Sequence, residues 1–167
     1  KKVSSYKLAS QPEGCVADDA GRQLFVGEED VGVWRFALNK KGILVKKSAE
    51  LIADVKGPLV DDVEGLALYL KDKERYLVVS SQGDHSYALY KADKPFTYVG
   101  SFRVGLNDEL VIDGTSETDG IEVSSAFFNH KFPNGLIVIQ DGHNLMPEQP
   151  QNFKIVPWES VANLIEK

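Results

Sequence analysis

Short apolar runs broken by Gly, Asp and Pro dominate the chain, and three segments share one layout. Each has an acid, a glycine, an alternating strand, a turn, and a second strand rich in Leu, Val and Ile. The first runs Glu13-Gly14-Cys15-Val16-Ala17 and then Leu24-Phe25-Val26-Gly27-Glu28-Glu29. The second is Glu64-Gly65-Leu66-Ala67-Leu68 with Tyr76-Leu77-Val78-Val79-Ser80-Ser81, and the third is Asp119-Gly120-Ile121-Glu122-Val123 with Leu136-Ile137-Val138-Ile139-Gln140-Asp141. Their glycines fall roughly fifty residues apart, a period that suits one four-stranded blade per repeat. Runs this short and β-branched argue against a helical repeat.

Third strands follow as Val33-Trp34-Arg35-Phe36 and Tyr87-Ala88-Leu89-Tyr90, and fourth strands as Ile43 to Leu51 and Tyr98 to Val104. In the last repeat Phe153-Lys154-Ile155-Val156 serves as third strand. Pro157-Trp158 then opens a short helix, residues 157–166, with Trp158, Val161 and Ile165 on one side. Val3 to Leu8 reads as the outer strand of a further blade. The predicted fold is all-β, a propeller segment of about three four-stranded blades over residues 10–55, 60–105 and 115–157 with a C-terminal helix. Propellers close with about four to eight blades, so three would leave two apolar faces open. The expected partners are therefore the remaining blades or a second copy of the chain.

Composition narrows the chemistry by exclusion. A hydrophobic content of 43% supports an ordinary core. The net charge of −6 and the scattered Lys and Arg residues argue against nucleic acid. No run approaches the roughly eighteen apolar residues of a membrane helix, and Lys1 to Ser10 lack a signal-peptide stretch. A lone cysteine, Cys15, excludes an internal disulfide and a multi-cysteine zinc site, and is expected to be a small core residue. His85, His130 and His143 show no metal-ligand spacing and read as surface residues. Lys40-Lys41, Lys46-Lys47 and Lys71 to Arg75 read as solvated turns.

The carboxylates carry the candidate chemistry. Glu13, Glu64 and Asp119 take the same place in three successive repeats and should converge where inner strands meet the central channel. Glu28, Glu29, Asp30, Asp61, Asp62, Asp113, Glu117 and Asp141, with Asn144, lie at nearby strand ends and loops. Asp beside Gly is also a common turn former. Acids on alternate residues in Asp62-Val63-Glu64 and Glu117-Thr118-Asp119, however, fall on one side of an extended chain. Crowded carboxylates without cations shift toward protonation, and oxygen-only donors suit calcium where zinc would want His or Cys. Asp113 to Ser124 is no EF-hand loop, because its glycine is misplaced and Ser124 replaces the closing Glu. Phosphate-cradling GxxxxGK[ST], HExxH and GxSxG motifs are absent.

Gln11-Pro12-Glu13-Gly14-Cys15-Val16, Gly27-Glu28-Glu29-Asp30, Val33-Trp34-Arg35-Phe36, Asp62-Val63-Glu64-Gly65-Leu66, Ser80-Ser81-Gln82-Gly83, Asp113 to Gly120, Gln140-Asp141-Gly142 and Gln151 to Trp158 together resemble, in order and spacing, the β-propeller phytases of bacteria. The resemblance covers nearly the whole chain and implies the second half of a six-bladed propeller. It implies a secreted or periplasmic enzyme that removes phosphates from phytate, myo-inositol hexakisphosphate, with calcium ions and an activated water. By motif, Glu13, Glu29, Asp62, Glu64 and Asp119 then resemble ligands of the catalytic calcium ions, with Glu29, Asp62, Glu64 and Asp119 as the catalytic set. Asp113, Asp141 and Asn144 resemble ligands of a structural calcium. His143 stands where the family commonly has Glu.

The family's substrate-gripping Lys and Arg residues and a tyrosine ligand come mainly from N-terminal blades that this chain lacks. The isolated chain is accordingly expected to bind calcium and to hydrolyse phytate poorly or not at all. The alternative is a catalytically inactive calcium-binding propeller fragment that serves as an interaction or accessory domain.

Overall fold

The computed structural model describes residues 2–165. Strands β1 Pro12–Asp18, β2 Gln23–Glu28, β3 Gly32–Ala37 and β4 Glu50–Asp54 form an antiparallel sheet in chain order. Strands β5 Val63–Lys71, β6 Glu74–Ser81, β7 Ser86–Lys91 and β8 Tyr98–Phe102 form a second sheet of the same order. The third is smaller: β9 Ile121–Ser124, β10 Leu136–Asp141 and β13 Asn152–Pro157 pair as β9-β10-β13. A hairpin of β11 Asn144–Leu145 and β12 Glu148–Gln149 projects between β10 and β13, and α1 Trp158–Ile165 follows. No helix is long and apolar enough to cross a membrane among the described residues.

The middle sheet is covered on both faces, which explains why β5 and β6 are nearly continuous in apolar residues. Leu66, Leu68, Leu77 and Val79 face the first sheet, where they meet Phe25, Val33 and Ala53. Alternate residues Ala67, Tyr69, Tyr76 and Val78 face the third, where they meet Val123, Ile137 and Ile139. The period-two alternation thus builds two cores from one sheet. In β10, covered on one face, only every second aliphatic residue is fully buried: Ile137 and Ile139 are, Leu136 and Val138 are not.

Helix α1 closes the second core. The Trp158 ring stacks on Tyr69 at 3.7 Å between centroids with an interplanar angle of 6°. Val161 is buried beside it, and Ile165 packs at the edge of the same core. The Trp158 N–H donates to the Gly135 carbonyl at 3.1 Å. Glu159 accepts from the backbone and side-chain amides of Asn134, whose carbonyl in turn accepts from the Tyr69 hydroxyl at 3.0 Å.

Several expectations need correction. Segment 3–8 joins no ladder. Instead the Tyr6 ring lies 4.9 Å from that of Phe36 and 6.4 Å from that of Trp34, covering part of the first sheet's outer face. The fourth strand of the first sheet starts at Glu50, because Leu38 and Leu44 bridge to close a turn that absorbs Ile43 and Leu44. That of the second sheet ends at Phe102. The third sheet has three strands where four were expected. Cys15 is exposed, because it stands on the edge strand β1 on a face that no sheet covers among the described residues. Arg75 is no solvated turn residue: it pairs with fully buried Asp18 and, at 2.8 Å, with Asp93. Gln23 joins this tie between the first two sheets, donating to Asp18 at 3.0 Å and to the Ala92 carbonyl at 2.8 Å. Pro157 ends β13, so the helix begins at Trp158, and Glu166 lies outside the described residues.

Candidate functional site

The site begins with two acid-glycine pairs that break their ladders. In β1 the pairing with β2 shifts between Pro12 and Cys15, and in β5 the pairing with β6 shifts between Val63 and Leu66. Glu13-Gly14 and Glu64-Gly65 therefore sit on bulges, which re-aim side chains at strand ends. The glycines allow close contact between sheets. A Cβ on Gly14 would stand 2.4 Å from the Glu64 carbonyl oxygen, and one on Gly65 would stand 2.7 Å from that of Asp119. Successive inner strands thus meet backbone to backbone at the residues that carry the acids. Val63 N–H donating to the Glu29 carbonyl at 3.2 Å draws the β2 end into the same place.

Electrostatics shows that five carboxylates share this place. Burial first, then the charges of Glu13, Asp119, Asp62 and Glu29, push Glu64 up to about 7. Partial withdrawal from water, then Asp30, Asp62 and Glu13, raises Glu29 as well. Among the described residues no Lys or Arg pairs with any of the five. The hydrogen bonds they receive come from neutral amides. Gln11 donates to Glu13, and Gln82 Nε2 donates to Asp119 Oδ1 at 2.7 Å. Among the described residues no group of three or more His, Cys, Asp and Glu side chains is close enough to hold one ion. The five stand within electrostatic reach of one another in a spread arrangement. Their donor atoms are all carboxylate oxygens, which fits calcium and not zinc.

Glu28, one residue before Glu29, plays another part. Its side chain accepts from the N–H groups of Ala9 and Ser10 at 2.5 and 2.6 Å and from Trp34 Nε1 at 2.5 Å. Burial pushes this carboxyl up, but bonds from Ser10, Trp34 and Ala9 outweigh it and hold it below its ordinary value. Glu28 fastens the incoming chain to the first sheet. Glu117 lies 3.8 Å from His85 Nε2 at the rim, and Asp30 and Asp61 are exposed.

Asp113, Asp141 and Asn144 come together in a separate group around the Lys154 ammonium. Nζ lies 2.7 Å from Asp113 Oδ1, 3.0 Å from Asp141 Oδ2, 2.7 Å from Asn144 Oδ1 and 2.9 Å from Asn152 Oδ1. The oxygens fit a cation, and the positive charge among them is this side chain. Its hydrogen bond holds the Asp113 carboxyl below its ordinary value. Sequence reasoning missed Lys154, Gln82 and Gln140. The one available signal for Lys154 was a charged residue alternating with Phe153 and Ile155 on a strand, which reads equally well as a solvated lysine.

The chain matches a family model described as Phytase over residues 1–167. It is 42% identical over 166 residues to the 3-phytase of Bacillus subtilis (strain 168). That match covers 97% of this chain and 42% of the relative, so the chain spans less than half the length of the curated protein it resembles.

Proposed function

Because this chain belongs to the phytase family, we propose that it supplies the carboxylate side of a site that hydrolyses phosphomonoesters of phytate with calcium and water. The observation that carries the proposal is the convergence of Glu13, Glu29, Asp62, Glu64 and Asp119, with Glu64 raised to about 7. Carboxylates that raise one another in this way without a cationic side chain create a strongly negative surface, and phytate is itself a polyanion. An acidic protein can hold such a substrate only where cations invert the local field.

In this reading the five acids are calcium ligands, and Glu29, Asp62, Glu64 and Asp119 stand nearest the reacting phosphate. Bound calcium would polarise phosphoryl oxygens and lower the pKa of a bound water. The protein's own part is to hold the carboxylates in place against their repulsion. Bulges, close glycine contacts and amide donors do this. Glu64, raised to about 7 by burial and by its acidic neighbours, would give up its proton to hold a cation. Asp113, Asp141 and Asn144 are proposed to organise the third sheet's loops around a cation, a part that Lys154 fills. A secreted or periplasmic location is supported by the family resemblance alone.

Turnover is proposed to need further blades or a second copy. Among the described residues the outer sheets each leave a face without a partner sheet, with Phe153 and Ile155 more than half exposed. The test is phosphate release from phytate, with and without EDTA, by the 167-residue chain and by a complete six-bladed protein that contains it. Chelator-sensitive release by the complete protein, lost in Glu29→Ala and Asp119→Ala variants that still fold, is expected. Release that ignores EDTA would overturn the proposal.

A further inference from the structure

We infer that two copies of this chain pair head to tail, residues 3–8 of each entering the third sheet of the other as its missing fourth strand beside β13. The pair would supply the second copy that turnover is proposed to need, and it rests on no metal.

Each four-stranded sheet ends in a strand that packs on the following sheet. Ala53 of β4 belongs to the core shared with the second sheet, and Phe102 of β8 to the core shared with the third. Residues 3–8 lie against the first sheet in the same manner. The Tyr6 ring meets that of Phe36 at 4.9 Å, and Ser4 and Leu8 are partly buried while Val3, Ser5 and Lys7 are exposed. That alternation is a strand's, with one face covered. Yet among the described residues the backbone of 3–8 bonds to no other backbone group. The segment is a fourth strand without a third.

The third sheet has the opposite lack. It holds three strands where its neighbours hold four, and β13 pairs with β10 alone. A groove of about 540 Å³ follows the free edge of β13. Residues of both its faces, Phe153, Lys154 and Ile155 among them, line the groove with Leu110, Ile112 and Met146, and none of β10 does. Free edges of this kind recruit a further strand. β13 is six residues long, a length that segment 3–8 matches. Within one chain the two cannot meet, because the first and third sheets cover opposite faces of the second.

What a second copy would meet repeats what already joins the sheets. Leu66 and Leu68 of β5 face the first sheet, whereas the equivalent Cys15 and Ala17 of β1 are exposed. On the open side of the third sheet nothing stands within 4 Å of a Cβ on Gly120, where Gly14 and Gly65 each meet backbone of the following sheet. The third sheet of one copy therefore offers the first sheet of another the same kind of seat that the second sheet offers the third. Head-to-tail contacts either close into a ring or run on. Propellers close with about four to eight blades, so copies of three sheets each can close only as two.

The test is sedimentation velocity of the 167-residue chain in EDTA across micromolar concentrations, with alkylation of Cys15 by iodoacetamide as a second readout. A monomer–dimer equilibrium is expected, with Cys15 reacting more slowly as the chain pairs. Ile155→Lys, at a position exposed in the single copy, should weaken pairing about 10-fold with the melting temperature of the dilute chain unchanged. Ser4→Pro and Ser5→Pro remove neighbouring N–H groups, one of which faces β13 in any register, so one of the two should weaken pairing as well. A chain that stays monomeric, that assembles past two copies, or that pairs with Cys15 as reactive as before overturns the inference. So does pairing indifferent to Ile155→Lys or to both prolines. None of these outcomes bears on the calcium reading, which EDTA-sensitive phosphate release decides.

Discussion

The ammonium of Lys154 stands 2.7 Å from Asp113 Oδ1, a contact that joins β13 to a loop forty-one residues earlier in the chain. Asp141 and Asn144 complete the surround, and Asp141 is fully buried. Removing one member of a buried charge pair leaves the other without compensation. Lys154→Met is therefore expected to cost about 3 kcal/mol or more in urea unfolding. Added calcium should return part of that loss in the variant, because the abandoned oxygens are of the type calcium accepts. A variant as stable as wild type would show that the tie is solvated.

Glu64 gives the stability of the chelated chain a definite pH dependence. Its folded pKa is raised from an ordinary 4.5 to about 7, so between those values the folded state binds more protons than the unfolded one. Stability must fall as pH rises through that window. For a partly hydrated carboxyl the effect is discounted to about 1 kcal/mol. In EDTA the chain should unfold more easily at pH 8 than at pH 5, and Glu64→Gln or saturating calcium should flatten the difference. Asp113, held low by Lys154, works in the opposite direction only at more acid pH, where it begins to take up protons. Urea midpoints across pH, with and without calcium, measure both effects.

The acid-glycine pairs were legible because they recur along the chain, and topology brings Gly14 against Glu64 and Gly65 against Asp119. The glycines were readable as turn signals, but their use for contact between sheets depends on which backbone lies opposite. Inner strands were legible for the same reason that β5 and β6 are buried on both faces. Outer strands were not. β4 and segment 3–8 carry mixed alternation, so their pairing is decided by turns such as the Leu38–Leu44 bridge. Lys154 escaped because β13 inverts the usual rule, putting the lysine inside while Phe153 and Ile155 face out. Arg75 escaped for a related reason, since Asp18 is distant in sequence and nothing local marks either as a partner.

Trp158 is the anchor by which α1 closes the second core. It is 2% exposed and lies flat on Tyr69, so truncation removes a large ring and leaves a cavity beside Tyr69 and Tyr76. Trp158→Ala is expected to cost about 3–5 kcal/mol. Trp158→Phe should cost less, by keeping part of the stack. Chemical denaturation of the two variants measures the difference, and equal midpoints would show that the helix is dispensable.

The three repeat glycines make a contrast that tests assembly directly. A Cβ on Gly14 or Gly65 would collide with backbone of the following repeat, and no side-chain rotation could relieve that clash. Gly14→Ala and Gly65→Ala should each cost about 1–3 kcal/mol and weaken calcium binding by prising the acids apart. Gly120 holds the same place in the third repeat, yet nothing lies within 4 Å of its would-be Cβ. The reason is topological: among the described residues no sheet packs beyond the third one. Gly120→Ala should therefore leave the melting temperature of the unpaired 167-residue chain unchanged. In a closed six-bladed ring, or in a pair of half-rings, the next inner strand would occupy that space. There the same substitution should behave like Gly65→Ala. Equal tolerance of Gly120→Ala in the isolated chain and in a complete protein would mean that no neighbouring blade seats against the third.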